Sequence, residues 1–127
     1  MLFKQEHELW RAGVDLCGPS NLTTFIASEG GPRRYVAELG NHPAALRELS
    51  PLHRAAAIRT PLFVYQGGND ARVPRLQSDT IVEALRARGA RVVHMVAANE
   101  GHTLARRGNR IEHFTRVLSF LASVLEL

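Results

Sequence analysis

The sequence predicts an α/β fold with about three parallel strands and flanking helices, and three observations carry that expectation. Short apolar runs recur at 12–17 (AGVDLC), 61–66 (PLFVYQ) and 91–97 (RVVHMVA), each followed by turn-forming residues. Stretches with helical spacing of apolar residues follow each run. The second run is continuous rather than alternating, the pattern of a strand covered on both faces. Strands that alternate with helices in this way pair in parallel through right-handed crossovers.

In chain order, the first run is closed by Gly18-Pro19, and residues 20–27 (SNLTTFIA) begin a short helix capped by Ser20 or Asn21. Residues 28–42 are loop-like at both ends. Residues 43–49 form a short helix that stops at Ser50-Pro51, because the residue before a proline avoids the helical region. Pro61 introduces the second strand, which ends in the glycine-led turn GGNDARVP at 67–74. A helix over about 76–88 follows, with Ile81, Val82 and Leu85 on one face and Gly89 as its stop. After the third strand, Ile111, Phe114, Val117, Leu118, Leu121, Val124 and Leu125 recur at three- and four-residue steps, an amphipathic helix from Asn109 onward.

A chain of 127 residues, 45% hydrophobic, suits one domain with one modest core, and 1–127 reads as a single unit. The net charge of +4 comes almost wholly from arginine, since Lys4 is the one lysine. The arginines are scattered from Arg11 to Arg116, with no stripe interleaved with aromatics, which argues against nucleic acid. The pairs Arg33-Arg34 and Arg106-Arg107 read as solvated loop charge. A single Cys17 excludes an internal disulfide and suits a reducing compartment. Charges come too early in MLFKQEHELW for a secretion signal, and no apolar run approaches the roughly 18 residues of a membrane span. A soluble, cytoplasmic protein is expected, and nothing in the sequence requires a cofactor.

In an open parallel sheet the working groups gather beyond the carboxyl ends of the strands. Those ends hold Cys17-Gly18-Pro19-Ser20, then Gly67 to Asp70, then Asn99-Glu100-Gly101-His102. A carboxylate at one strand end and a histidine at the next can meet. The carboxylate then fixes the imidazole tautomer and stabilises the imidazolium formed when the ring takes a proton.

The run from Ser50 onward, with SP, the strand PLFVYQ, GGNDARVP and then NEGH, resembles the C-terminal part of the α/β-hydrolase catalytic domain of the prolyl oligopeptidase (S9) serine peptidases. AGVDLCGPSNLTTF resembles the segment after that family's nucleophile helix, so the likeness runs from about Leu9 to the end. The resemblance implies a truncated α/β-hydrolase fold, peptide or ester bonds as substrate, Asp70 as triad acid and His102 as base. Ala71, where the family often has proline, and Thr103-Leu104, where Gly-Phe is frequent, are small departures.

A larger departure bears on mechanism: no G-x-S-x-G occurs in the 127 residues, so the elbow that would carry the serine belongs near or before Met1. Ser20 and Cys17 lie on the same predicted rim and are the in-chain alternatives. Ser20 reads more naturally as a cap or turn residue and Cys17 as a small buried one. Ser28 in a glycine-rich loop and Ser50 before a proline are weaker candidates. His94, His102 and His113 lack metal-ligand spacing, so no metal site is expected. His94 reads as a strand residue satisfied by a neighbour, His113 as a partly exposed helix residue, and Arg72 as a rim cation or a surface ion pair.

Three readings stay open: a serine-hydrolase segment of little activity alone, a non-catalytic folded module, and a minimal esterase using Ser20 or Cys17. A sheet lacking its nucleophile strand leaves the first strand as an exposed edge. Homo-oligomers through that edge are therefore expected, with either the AGVDLC edges or the segment MLFKQEHELW packing between two copies.

Overall fold

A computed structural model describes residues 9–28, 36–37 and 42–127. The elements are β1 (Gly13–Leu16), α1 (Leu22–Ala27), α2 (Pro43–Leu49), β2 (Leu62–Gly67), α3 (Leu76–Ala87), β3 (Val92–Ala97) and α4 (Arg107–Leu125). The strands form one parallel sheet in the order β1-β2-β3, with Gly13 opposite Leu62 and Leu62 opposite Val92. Most of 28–42, the pair Arg33-Arg34 and the first eight residues lie outside the described residues. Among the described residues no helix is long and apolar enough to cross a membrane.

β2 is buried along all six residues because both of its faces are covered. Leu62 and Val64 point to one side and pack with Ala55, Ile58, Ile81, Val82 and Leu85. Phe63 and Tyr65 point to the other and pack with Cys17, Met95, Ala97 and Phe120. The two-residue period of a strand thus divides the core into an α3 side and an α4 side. β1 stands at an edge, with Val14 and Leu16 exposed.

Local signals set most boundaries. Asn21 caps α1, its side-chain oxygen accepting from the Thr23 and Thr24 amides at 3.2 and 3.4 Å. Pro43 opens α2 and Gly89, at φ 73°, follows α3. The sequence showed no sign of the 3₁₀ turn at Pro51–Ala57. That turn is held from outside: the Arg88 guanidinium donates to the Ala55 and Ile58 carbonyls, the latter at 2.6 Å.

The last helix differs from expectation in register. His113, expected to be partly exposed, is 2% exposed, whereas Phe114, expected on the packed face, is 59% exposed. His113, Val117, Phe120, Leu121 and Val124 form the stripe set on the sheet. Ile111, Phe114, Leu118 and Leu125 form a second, exposed stripe, rotated by roughly 100° at 3.6 residues per turn. With apolar residues on two adjoining stripes, spacing alone does not say which one meets the sheet.

Candidate active site

Because the strands run parallel, their carboxyl ends share one rim. There the loops leaving β1, β2 and β3 bring Cys17, Asp70 and His102 together. A thiol sulfur, a carboxylate oxygen and an imidazole nitrogen from the three lie within 4.8 Å of one another.

The glycines before Asp70 are what let two of these loops meet. A Cβ on Gly67 would overlap the Gly101 carbonyl, and one on Gly68 would sit 2.9 Å from the Ala98 Cα. With no side chain in the way, the Gly68 amide donates to the Ala97 carbonyl and the Asn69 amide to the Glu100 carbonyl, each at 2.8 Å. The turn sequence therefore couples the Asp70 loop to the His102 loop through the backbone.

Asp70 then folds its carboxylate back into the turn. Oδ1 accepts from the Arg72 and Val73 amides at 2.8 and 2.9 Å, an Asx-type turn. Oδ2 faces His102 Nδ1 at 2.8 Å and Gln66 Nε2 at 3.1 Å. The carboxylate is fully buried, whereas the His102 side chain is one-third exposed. Burial alone would raise the Asp70 pKa. The hydrogen bonds from Val73, His102 and Arg72 outweigh it and hold the carboxyl below the ordinary 3.8. His102 Nε2 has no hydrogen-bond partner among the described residues.

The His102 loop is braced from its other side by Glu100, which is buried in the loop between β3 and α4. Its carboxylate accepts from the Arg106 amide at 2.6 Å, the Ala105 amide at 3.3 Å and Asn109 Nδ2 at 3.0 Å. Burial opposes its charge, but the bonds from Asn109, Arg106 and Ala105 keep its pKa below the ordinary 4.5. Arg106 also donates from Nε to the Asn99 carbonyl at 2.8 Å, so its side chain is engaged rather than free in solvent.

The other sequence candidates take different places. Cys17 is buried beneath Asp70, in a left-handed conformation at φ 52° that turns the chain off β1. Burial pushes its thiol up to about 11. The Gly67 amide opposes this, and the charge of Asp70, which the thiol hydrogen-bonds, adds to it. A thiol so far from ionising is a poor nucleophile at neutral pH.

Ser20 turns onto α3, where its hydroxyl donates to the Gln77 carbonyl at 2.5 Å. Ser50 is fully buried between the Leu46 carbonyl and the Leu22 amide, and the Ser28 hydroxyl donates to the Phe25 carbonyl. His94 Nε2 lies 3.3 Å from Ser78 Oγ, and His113 is packed among Phe63, Tyr65 and Phe114. These two therefore do not join His102 in a ligand cluster among the described residues. Arg72 serves the site through its backbone amide, and its exposed side chain forms no ion pair among the described residues.

Sequence reasoning missed Gln66 and the bracing role of Glu100. Gln66 ends a continuous apolar strand, and a polar residue wholly buried there was the available signal.

The sequence model of the prolyl oligopeptidase family matches residues 1–127. Dipeptidyl aminopeptidase BIII of Pseudoxanthomonas mexicana is 34% identical over 93% of this chain and 19% of its own length. Dipeptidyl peptidase family member 6 of Caenorhabditis elegans is 29% identical over 93% of this chain and 17% of its own. The acylaminoacyl peptidase of Pyrococcus horikoshii superposes with a TM-score of 0.80 at 27% identity, over 89% of this chain and 20% of that one. The chain thus spans about a fifth of the length of the relatives it matches. The three-stranded sheet and its helices are the α/β-hydrolase type of fold. Matched along its whole length by the family's sequence, and alike in backbone to a solved peptidase, the chain belongs to the prolyl oligopeptidase family.

Proposed function

We propose that this chain supplies the acid and base of an acyl-transfer triad that hydrolyses peptide bonds, with the nucleophilic serine contributed from outside the 127 residues. The observation that carries the reading is the 2.8 Å contact between His102 Nδ1 and the buried Asp70 carboxylate. It directs the Nδ1 proton at the carboxylate and leaves the Nε2 lone pair free. Nε2 takes the proton of an attacking hydroxyl, Asp70 stabilises the imidazolium without itself being protonated, and the same proton passes to the leaving amine. Peptides are preferred over esters as substrate because the two relatives are named a dipeptidyl aminopeptidase and a dipeptidyl peptidase.

The reading of the chain as a minimal esterase is weaker, because Ser20 is bonded to Gln77 and the Cys17 thiol is protonated at neutral pH. The test joins this chain behind the nucleophile-bearing segment of a related catalytic domain and follows hydrolysis of a dipeptidyl p-nitroanilide. The joined protein should turn over, with Asp70→Asn slowing it by roughly 10⁴-fold and His102→Ala by a similar factor. Activity that survives His102→Ala overturns the proposal. The unjoined chain should show no turnover above background, and loss of a measurable rate on Ser20→Ala or Cys17→Ala would favour an in-chain nucleophile.

A further inference from the structure

At the rim a thiol that acyl transfer does not require, Cys17, stands with the Asp70 carboxylate and the His102 imidazole, donor atoms of the three lying within 4.8 Å of one another. We propose that they form a site for a soft divalent cation such as Zn²⁺. The inference concerns the same side chains as the proposed function but does not rest on it, because metal binding needs neither a nucleophile nor turnover.

The donor types suit the ion. Zn²⁺ takes sulfur at about 2.3 Å and imidazole nitrogen or carboxylate oxygen at about 2.0–2.2 Å, and a three-ligand site keeps its fourth position for water. Tetrahedral bonds of that length set nitrogen and oxygen roughly 3.3 Å apart. His102 Nδ1 and Asp70 Oδ2 now stand at 2.8 Å and part by about half an ångström to admit the ion, a small change for a side chain that is one-third exposed. The Cys17 sulfur, within 4.8 Å of the set, closes to about 3.5 Å from each.

The donors come from three different elements, and the outer contacts hold two of them. Asp70 is oriented by the Arg72 and Val73 amides and by Gln66 Nε2. Cys17 is tied to β2 by its amide, which donates to the Tyr65 carbonyl at 2.9 Å. Such outer contacts orient ligands before the ion arrives. His102, the exposed member, is the side from which an ion would enter.

The proton balance is simple. The Cys17 sulfur exchanges its hydrogen for the metal and one proton leaves to solvent. His102 moves its Nδ1 proton to Nε2 so that Nδ1 becomes the ligand, and Asp70 exchanges a hydrogen bond for a metal bond. Occupancy removes the base that the proposed triad needs, so the ion acts as an inhibitor wherever that triad is assembled.

The test titrates the purified chain with Co²⁺ as a spectroscopic substitute, then displaces it with Zn²⁺. One Co²⁺ per chain with a thiolate-to-metal charge-transfer band, lost on adding Zn²⁺, is the expected result. Cys17→Ser should abolish the band, and His102→Ala should weaken binding at least about 10-fold, consistent with loss of a direct ligand. Circular dichroism of each variant confirms that it is folded, and His102→Gln provides a second substitution at the exposed position. Cobalt binding without the band, binding unchanged in His102→Ala, or no binding by the folded wild type overturns the proposal. None of these outcomes depends on hydrolysis, so failure of the metal site leaves the acyl-transfer reading standing, and the reverse also holds.

Discussion

Asp70 has two jobs that one substitution separates. In Asp70→Asn the remaining oxygen can still accept from the Arg72 and Val73 amides, so the turn persists. The new amide, however, presents donors to Gln66 Nε2 and to the Nδ1–H of His102. The variant should lose about 1–3 kcal/mol in urea denaturation, the cost of unsatisfied buried polar groups. Nitrogen NMR should show the His102 proton moving from Nδ1 to Nε2. His113 carries a second residue-scale prediction. Burial alone lowers its pKa from the ordinary 6.5, and its Nδ1 has no partner among the described residues. The unfolded chain therefore takes up this proton first as pH falls. Stability is full above about 6.5, declines below it, and levels off once the folded form also protonates. His113→Phe should be at least as stable as wild type at pH 7, with an advantage that widens on acidification, as read from paired melts at pH 7 and pH 5. The meeting of Asp70 and His102 was legible in the sequence because the turns that carry them, GGND and NEGH, close neighbouring strands. The burial of Cys17 was legible as well, from its place at the end of an apolar run, but that of His113 was not, because it depends on what the rest of the chain lays over it.

The strands were legible as elements for a related reason. A continuous apolar run of six residues, closed by Gly-Gly, has few other places to go than a covered strand. The 3₁₀ turn at Pro51–Ala57 was not legible, because the Arg88 guanidinium that holds its carbonyls comes from 30 or more residues away. Helix α4 falls between these cases: its existence was clear and its rotation was not. The two stripes differ in consequence. Phe120 is 5% exposed and packs its ring against Phe63 at 5.9 Å, whereas Phe114 is 59% exposed. Phe120→Ala should cost about 3–5 kcal/mol and Phe114→Ala less than about 1 kcal/mol, measured as shifts in the urea midpoint at constant slope. A larger cost for Phe114→Ala than for Phe120→Ala would mean that the Phe114 stripe, not the Phe120 one, faces the sheet.

At the scale of the molecule, β1 is left uncovered on more than one side. Its register aligns Val14 and Leu16 with Phe63 and Tyr65, on the side of the sheet where α4 packs over β2 and β3. There the two side chains are 39% and 51% exposed. Beside β1 on the α3 side lies a groove of about 490 Å³ lined by Trp10, Asp15, Pro19, Ile58, Val64 and Ile81 among others. Its outer backbone edge has no strand partner among the described residues. A sheet edge with apolar residues and free backbone groups is a template for another strand. The chain spans about a fifth of its relatives' length, so in a longer setting preceding segments can occupy this edge. For the chain by itself, the occupant we propose is a second copy joined across a two-fold axis, β1 against β1, because an isologous contact closes and buries both edges at once. Sedimentation velocity should then show a dimer that dissociates on dilution. Leu16→Lys, which sets a charge on the exposed side of β1 and leaves the core untouched, should shift the boundary to monomer with little change in the urea midpoint. Phe114→Lys on α4 is the control that separates the two apolar surfaces. If it dissolves the dimer while Leu16→Lys does not, the interface is the second stripe of α4, and a monomer at all concentrations rejects both.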